Sequence, residues 1–163
     1  MPPIRVLFIC AGNICRSPLA EGVFRHHVAL AGLAGQFVID SCGTGGWHTG
    51  EPPDRRMRQT ARQHGVSLDD LRARQFHPAD FAAFDYLLVM DTENLYDLHT
   101  LDRHQQYRHK VQRFRTFDPQ PDTGDVPDPY YGSLDGFEHV WQIVDRTAQA
   151  LLNHLIRTHR LAG

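Results

Sequence analysis

An apolar, β-branched stretch, Arg5–Cys10, runs straight into Cys-Ala-Gly-Asn-Ile-Cys-Arg-Ser (residues 10–17) and then Pro18. This junction limits the fold more than any other part of the chain. The stretch reads as a buried strand, and Ser17–Leu30 follows with helical spacing of Leu19, Val23, Phe24, His27 and Leu30. Ser17 is expected as the N-cap and Pro18 as the first helical residue. Between strand and helix only small residues and one guanidinium intervene.

A strand that delivers a thiol and an arginine onto a helix N-terminus can seat a tetrahedral oxyanion while sulfur attacks it. A thiol has a reference pKa near ~8.5, and helix N-termini and cations lower such values. Cys10 is therefore the expected nucleophile. Gly12 permits the tight turn, and the loop amides of Ala11, Gly12, Asn13, Ile14 and Cys15 are expected to face one centre. Arg16 supplies a planar fork for two phosphate oxygens. Asn13 and Ser17 are short polar groups suited to bracing the loop and donating to a thiolate. Cys15 has two readings, a core-facing filler or a thiol that traps oxidised Cys10 as a disulfide. Cys42 reads as a small buried hydrophobe.

The remaining pattern alternates strands and helices. Strands are expected at Phe37–Ser41, Tyr86–Met90 and Val111–Phe114, and helices at Pro53–His64, Thr92–Leu101 and Ser133–Arg160. The last helix turns Phe137, Val140, Trp141, Val144, Ala148, Leu151, Leu152 and Leu155 inward. Such alternation implies an α/β fold, a parallel twisted sheet covered by helices on both faces. Ligands then bind beyond the carboxyl ends of the strands, where Cys10 lies.

At 163 residues the chain is long enough for one domain with a real core, and no linker divides it. A net charge of −2 points to neither nucleic acid nor membrane as a partner. The first strand begins too early for a signal peptide, and no apolar run approaches a bilayer-spanning length. Three cysteines do not make a secreted disulfide framework, so a cytoplasmic setting is expected. The eleven histidines are scattered, with His99, His104 and His109 at a spacing that suits no helical face, so no metal site and no cofactor are expected.

Asp118–Gly132, rich in Pro, Asp and Gly, is too long to be a casual connection. Asp128 lies between two prolines that hold it extended, and it is the candidate proton donor to a departing oxygen. Asp118, Asp122 and Asp125 read as solvated turn residues. Trp47, Tyr130 and Tyr131 are loop aromatics that suit the walls of a slot deep enough for a phenyl ring.

These residues resemble the low-molecular-weight protein tyrosine phosphatases over nearly the whole chain. The likeness is carried by VLFICAGNICRSP (6–18), SCGTGGWH (41–48), GEPPD (50–54), ARQ (73–75), FDY (84–86), Met90-Asp91 and DPYYG (128–132). The resemblance implies a four-stranded parallel sheet of flavodoxin-like, three-layer type with the phosphate loop after strand one. It implies Cys10 as the phosphorylated nucleophile, Arg16 as the clamp, Asp128 as general acid then base, and Ser41 as a further support. Trp47, Tyr130 and Tyr131 match the rim that grips the substrate ring, and tyrosine-phosphorylated proteins are the implied partners. A tyrosine kinase acting on Tyr130 or Tyr131 is a further possible partner.

In many relatives a histidine precedes the Arg/Thr-Ala-Arg-Gln stretch and holds the loop asparagine. Leu71 stands there in this chain, so either another group supports Asn13 or the loop is looser. Two other readings stay open: a thiol-dependent arsenate reductase, which resembles a relay needing a late cysteine pair, and a weakly active phosphotyrosine-binding module.

Overall fold

Alternate side chains of the first strand, Ile4–Cys10 (β1), enter two separate apolar cores. Val6, Phe8 and Cys10 join one, and Leu7 and Ile9 join the other, as the two-residue period of a strand requires. The computed structural model that gives this picture describes residues 2–162. After β1 come α1 (Arg16–Leu30), β2 (Phe37–Gly43), α2 (Arg55–Gln63), α3 (Asp80–Ala83), β3 (Tyr86–Val89), α4 (Thr92–Leu101), β4 (Val111–Arg113) and α5 (Leu134–His159).

The four strands are all parallel in the order β2-β1-β3-β4. This is the three-layer α/β arrangement expected from the alternation. The first core packs β1 and Leu88 of β3 against α1 and α5, with Phe8 edge-on to both Phe24 and Phe114. The second packs Leu87 and Val89 against Leu98 of α4 and the Phe76–Phe81 pair. Because β1 has β2 on one side and β3 on the other, strand order reverses around it. The crevice beyond Cys10 is therefore the switch point at which such sheets bind ligands.

Most boundaries fall within two residues of expectation, and the inward face of α5 is as read from its spacing. Several details differ. Ser17 does not cap α1; Cys15 is the N-cap, no side chain covers this end, and Ser17 is the second helical residue. The Ser17 hydroxyl is drawn instead to the Cys10 sulfur, 2.9 Å away. Leu30 does not face the core but is 73% exposed. At 3.6 residues per turn it sits about 120° around the helix from Phe24. Helix α3 was not foreseen, being only four residues long.

The aspartates of the Asp118–Gly132 loop part company: Asp122 stays exposed as read, whereas Asp118 is buried and Asp125 half-buried. Buried Arg115 donates to Asp118 (2.8 Å), Asp122 (2.6 Å) and the Asp125 carbonyl (2.8 Å). Arg146 of α5 donates to Asp118 as well, at 2.9 Å. Asp118 is only 4% exposed; burial opposes its ionisation, but Arg146, the Gln120 amide and Arg115 together hold its pKa down to about 2. Asp125 accepts from Thr92, and the Val126 amide donates to the Met90 carbonyl at 2.7 Å. The segment leading to Asp128 is thus fastened to the end of β3.

Candidate active site

The loop between β1 and α1 is shaped by where its carbonyls go. The Cys10 carbonyl accepts from the Thr44 amide (2.9 Å), that of Ala11 from Gly45 (2.9 Å) and that of Ile14 from Asp54 (2.7 Å). Cys15 closes the first helical turn with Leu19. With the carbonyls of Cys10, Ala11, Ile14 and Cys15 bonded to neighbouring backbone, the loop amides are left to face the other way. Among the described residues none of the amides of Ala11 to Cys15 donates to a protein acceptor. Such a ring of unpaired N–H groups at a helix N-terminus is an anion seat.

Close approach of a second loop makes this possible. A Cβ on Gly43 would lie 2.7 Å from the Ala11 carbonyl oxygen and 3.0 Å from the Gly12 carbonyl carbon. Only glycine lets the end of β2 run against the anion loop there. Asn13 has φ of 57°, a left-handed conformation that asparagine tolerates better than most residues. Its side chain is fully engaged: Oδ1 accepts from the Arg74 amide (3.0 Å), while Nδ2 donates to Ser17 (2.8 Å) and Ser41 (3.0 Å). Ser41 in turn donates to Glu21 at 2.6 Å. A buried polar chain thus runs from Glu21 through Ser41, Asn13 and Ser17 to the Cys10 sulfur. Burial pushes the Glu21 carboxyl above its ordinary pKa, against the pull of Ser41 and Arg25.

Arg16 is 3% exposed and already oriented. One terminal nitrogen, Nη1, donates to Asp91 (2.7 Å) and to the Val126 carbonyl (3.0 Å). The other lies 3.5 Å from Asp128, leaving the Nε–Nη2 edge for a ligand. Asp91 is itself fixed, because it forms a capping box with Asn94 at the start of α4. Burial is the largest influence on the Arg16 guanidinium, but Cys10, Asp91 and Asp128 together raise its pKa.

Cys10, Ala11, Gly12, Ile14, Cys15 and Arg16 form the floor of a cavity of about 120 Å³ whose walls are Trp47, His48, Asp128, Tyr130 and Tyr131. Asp128 is partly exposed at the mouth and accepts from the Tyr130 amide at 3.1 Å. Trp47 is 73% exposed and stands at the cavity mouth. Tyr130 and Tyr131 pack edge to face with centroids 5.0 Å apart. Arg56 stacks over the Tyr130 ring and donates to its carbonyl. Burial pushes the Cys15 thiol well above its ordinary value, with Asp54, Cys10 and Asp128 adding to the rise. Cys42 lies in the second core and burial raises its thiol too.

A family model described as low molecular weight phosphotyrosine protein phosphatase matches residues 5–161. The chain belongs to that family. Bacillus subtilis YfkJ, a low-molecular-weight protein-tyrosine-phosphatase, is 40% identical over 97% of this chain and 99% of its own. Its crystal structure superposes with a TM-score of 0.91, covering 99% of both chains. The human low-molecular-weight phosphotyrosine protein phosphatase is 40% identical over 90% of this chain and 92% of its own. Vibrio vulnificus Wzb, solved in complex with benzylphosphonate, is 28% identical with a TM-score of 0.82, covering 93% of this chain and 99% of Wzb.

In this low-molecular-weight phosphatase the structure answers the question raised by Leu71. Another group supports Asn13, namely the Arg74 amide, while Leu71 packs half-buried against the first core. All the expected site residues meet at one cavity or directly behind it. Glu21, Asp91, His48, Arg56 and Gly43 escaped the sequence reading as participants. Glu21 looked like an ordinary polar helix residue, and nothing local to Asp91 announces an arginine 75 positions earlier in the chain. Gly43 carried a signal in its glycine-rich run, though not the carbonyl it must clear.

Proposed function

We propose that the chain hydrolyses aryl phosphate monoesters on tyrosine-phosphorylated proteins through a cysteinyl-phosphate on Cys10. The observation that carries this is the outward fastening of the loop carbonyls, which leaves free amides and the Arg16 edge around the Cys10 sulfur. Vibrio vulnificus Wzb holds benzylphosphonate, an aryl ligand with a tetrahedral oxyanion, and this supports an aromatic phosphate ester here.

In this reading the Cys10 sulfur attacks phosphorus and forms the S–P bond as the P–O bond to the aryl group breaks. Asp128, at the mouth of the cavity, gives its proton to the departing phenolic oxygen. The loop amides and Arg16 stabilise the charge on the three equatorial oxygens. Asp128, now ionised, takes a proton from water as that water attacks phosphorus, and the S–P bond breaks to return the thiolate. Ser17 donates to the sulfur, while Asn13 and Ser41 hold Ser17 in place. Trp47, Tyr130 and Tyr131 flank the ring. The whole chain acts as a single phosphatase domain, since both cores draw on β1 and on elements far along the chain.

The absence of any cysteine after Cys42 disfavours the arsenate-reductase relay. Redox control through a Cys10–Cys15 disulfide is part of the proposal, supported by both thiols lining the same cavity. The raised pKa of Cys15 makes the capture step slow at neutral pH. A cytoplasmic setting remains a proposal from cysteine usage; among the described residues no helix is long and apolar enough to cross a membrane. For a partner tyrosine kinase, Tyr131 at 91% exposure is the accessible hydroxyl.

The test is hydrolysis of a series of aryl phosphates with chelator present. Cys10→Ser is expected to abolish turnover. Asp128→Asn is expected to cost on the order of 10²-fold or more with poor leaving groups and much less with good ones. A uniform loss across the series removes Asp128 from the proton-donor role.

A further inference from the structure

A second concavity, of about 350 Å³, adjoins the catalytic cavity and shares Trp47 as a wall. Its other lining residues are Thr44, Gly45, Asp97, Thr100 and Leu101. The phosphatase chemistry uses none of these side chains. The indole lies directly against Gly45, where a Cβ would overlap its ring. Across the groove, α4 presents Leu101, 44% exposed, and the carboxylate of Asp97. Asp97 is exposed and makes no ion pair among the described residues. Asp97 is the one acidic residue of the lining, and exposed Glu93 lies one turn earlier on the same face of α4, outside the groove itself.

We propose that this groove is a specificity subsite for an arginine or lysine flanking the phosphotyrosine of the substrate protein. The inference rests on the phosphatase reading above. A phosphotyrosine seated against Cys10 leaves its peptide at the cavity mouth, where Trp47 is the shared border. An extended peptide advances about 3.3–3.6 Å per residue, so a neighbour within two positions comes over the indole. The surface there suits one kind of side chain: an aliphatic stem to lie along Trp47 and Leu101, and a cationic head to reach Asp97. Arginine gains further from stacking on the indole face. An acidic neighbour meets Asp97 with like charge and is disfavoured.

The experiment compares kcat/KM for matched phosphotyrosine peptides carrying Arg, Gln or Glu within two residues of the phosphotyrosine, with a small aryl phosphate as control. The wild-type enzyme is expected to favour the Arg over the Glu peptides by about fivefold, the scale of a good exposed ion pair, and less in high salt. Asp97→Asn should bring the peptides near parity, and Asp97→Arg should invert the order, with aryl phosphate turnover unchanged in both. A peptide preference that is absent in the wild type, or that survives unaltered in both variants, overturns the subsite. Failure of the wild type to hydrolyse the aryl phosphate overturns the phosphatase reading instead, and the subsite with it.

Discussion

The Arg16 guanidinium donates to the Asp91 carboxylate at 2.7 Å, joining the start of α1 to the start of α4 across the switch point of the sheet. Asp91 serves two masters, since its other oxygen accepts from the Asn94 amide at 2.8 Å. The two duties separate by substitution. Asp91→Asn can still cap α4 but leaves buried Arg16 without its carboxylate, so turnover should fall about tenfold and Tm should drop as well. Asp91→Ala should lose both, adding about 1 kcal/mol of destabilisation. Equal kinetics for wild type and both variants would show that Arg16 needs no such anchor.

Gly43→Ala places a methyl group against loop backbone rather than a yielding side chain. The anion loop must then shift, and both Tm and kcat/KM for aryl phosphates are expected to drop. Binding of inorganic phosphate, measured by calorimetry, should weaken in parallel. Gly35→Ala, with open space around it, is the control.

At position 71 the expectation is a small effect. Asn13 already has three partners through Arg74, Ser17 and Ser41. Leu71→His should alter kcat by less than about twofold, whereas Asn13→Ala should lower it at least tenfold by releasing Ser17 and the left-handed turn. A large gain from Leu71→His would mean that the loop is loose as it stands.

Stability in acid should follow Asp118. Its folded pKa of about 2 lies below the ordinary 3.8, so its ion pairs contribute fully above pH 4 and are lost as pH falls from about 4 towards 2. The contribution amounts to about 2 kcal/mol. Glu21 works the other way: its raised pKa means that neutralisation on acidification favours the folded state. Urea unfolding across this range should show a net loss in the wild type and a flatter profile in Asp118→Asn, which starts less stable because buried Arg115 loses its partner.

Peroxide should inactivate the enzyme reversibly, with mass mapping finding a Cys10–Cys15 disulfide that forms faster as pH rises. The pH dependence follows from the raised Cys15 pKa, since only its thiolate attacks a sulfenic acid. In Cys15→Ala the loss should become irreversible. Reversal by thiol in that variant, or no such disulfide in the wild type, leaves Cys15 as a core filler.

Much of this molecule is legible from its sequence because local rules act on it consistently. The strand-to-helix junction at Cys10–Pro18, the alternation of elements and the inward stripe of α5 each follow from periodicity and turn chemistry. Where the reading fails, a distant partner decides. Ser17 looks like a cap because serine before proline suits that role, yet the sulfur of Cys10 claims its hydroxyl. Asp118 looks solvated among prolines and glycines until Arg115 and Arg146 enclose it. Glu21 and Asp91 act through contacts 20 and 75 positions along the chain, and no window of neighbouring residues contains those pairs.

The outward bonding of the loop carbonyls also bears on how the reaction cycle ends. Those bonds are made within the protein, so the cradle is complete before an ester arrives and persists after its alcohol has left. Inorganic phosphate meets the same amides as the substrate did, without the grip of an aromatic ring to distinguish it. Tetrahedral oxyanions in ordinary buffers are therefore competitors, and a catalytic constant measured in phosphate or sulfate reports occupancy of the seat as much as chemistry.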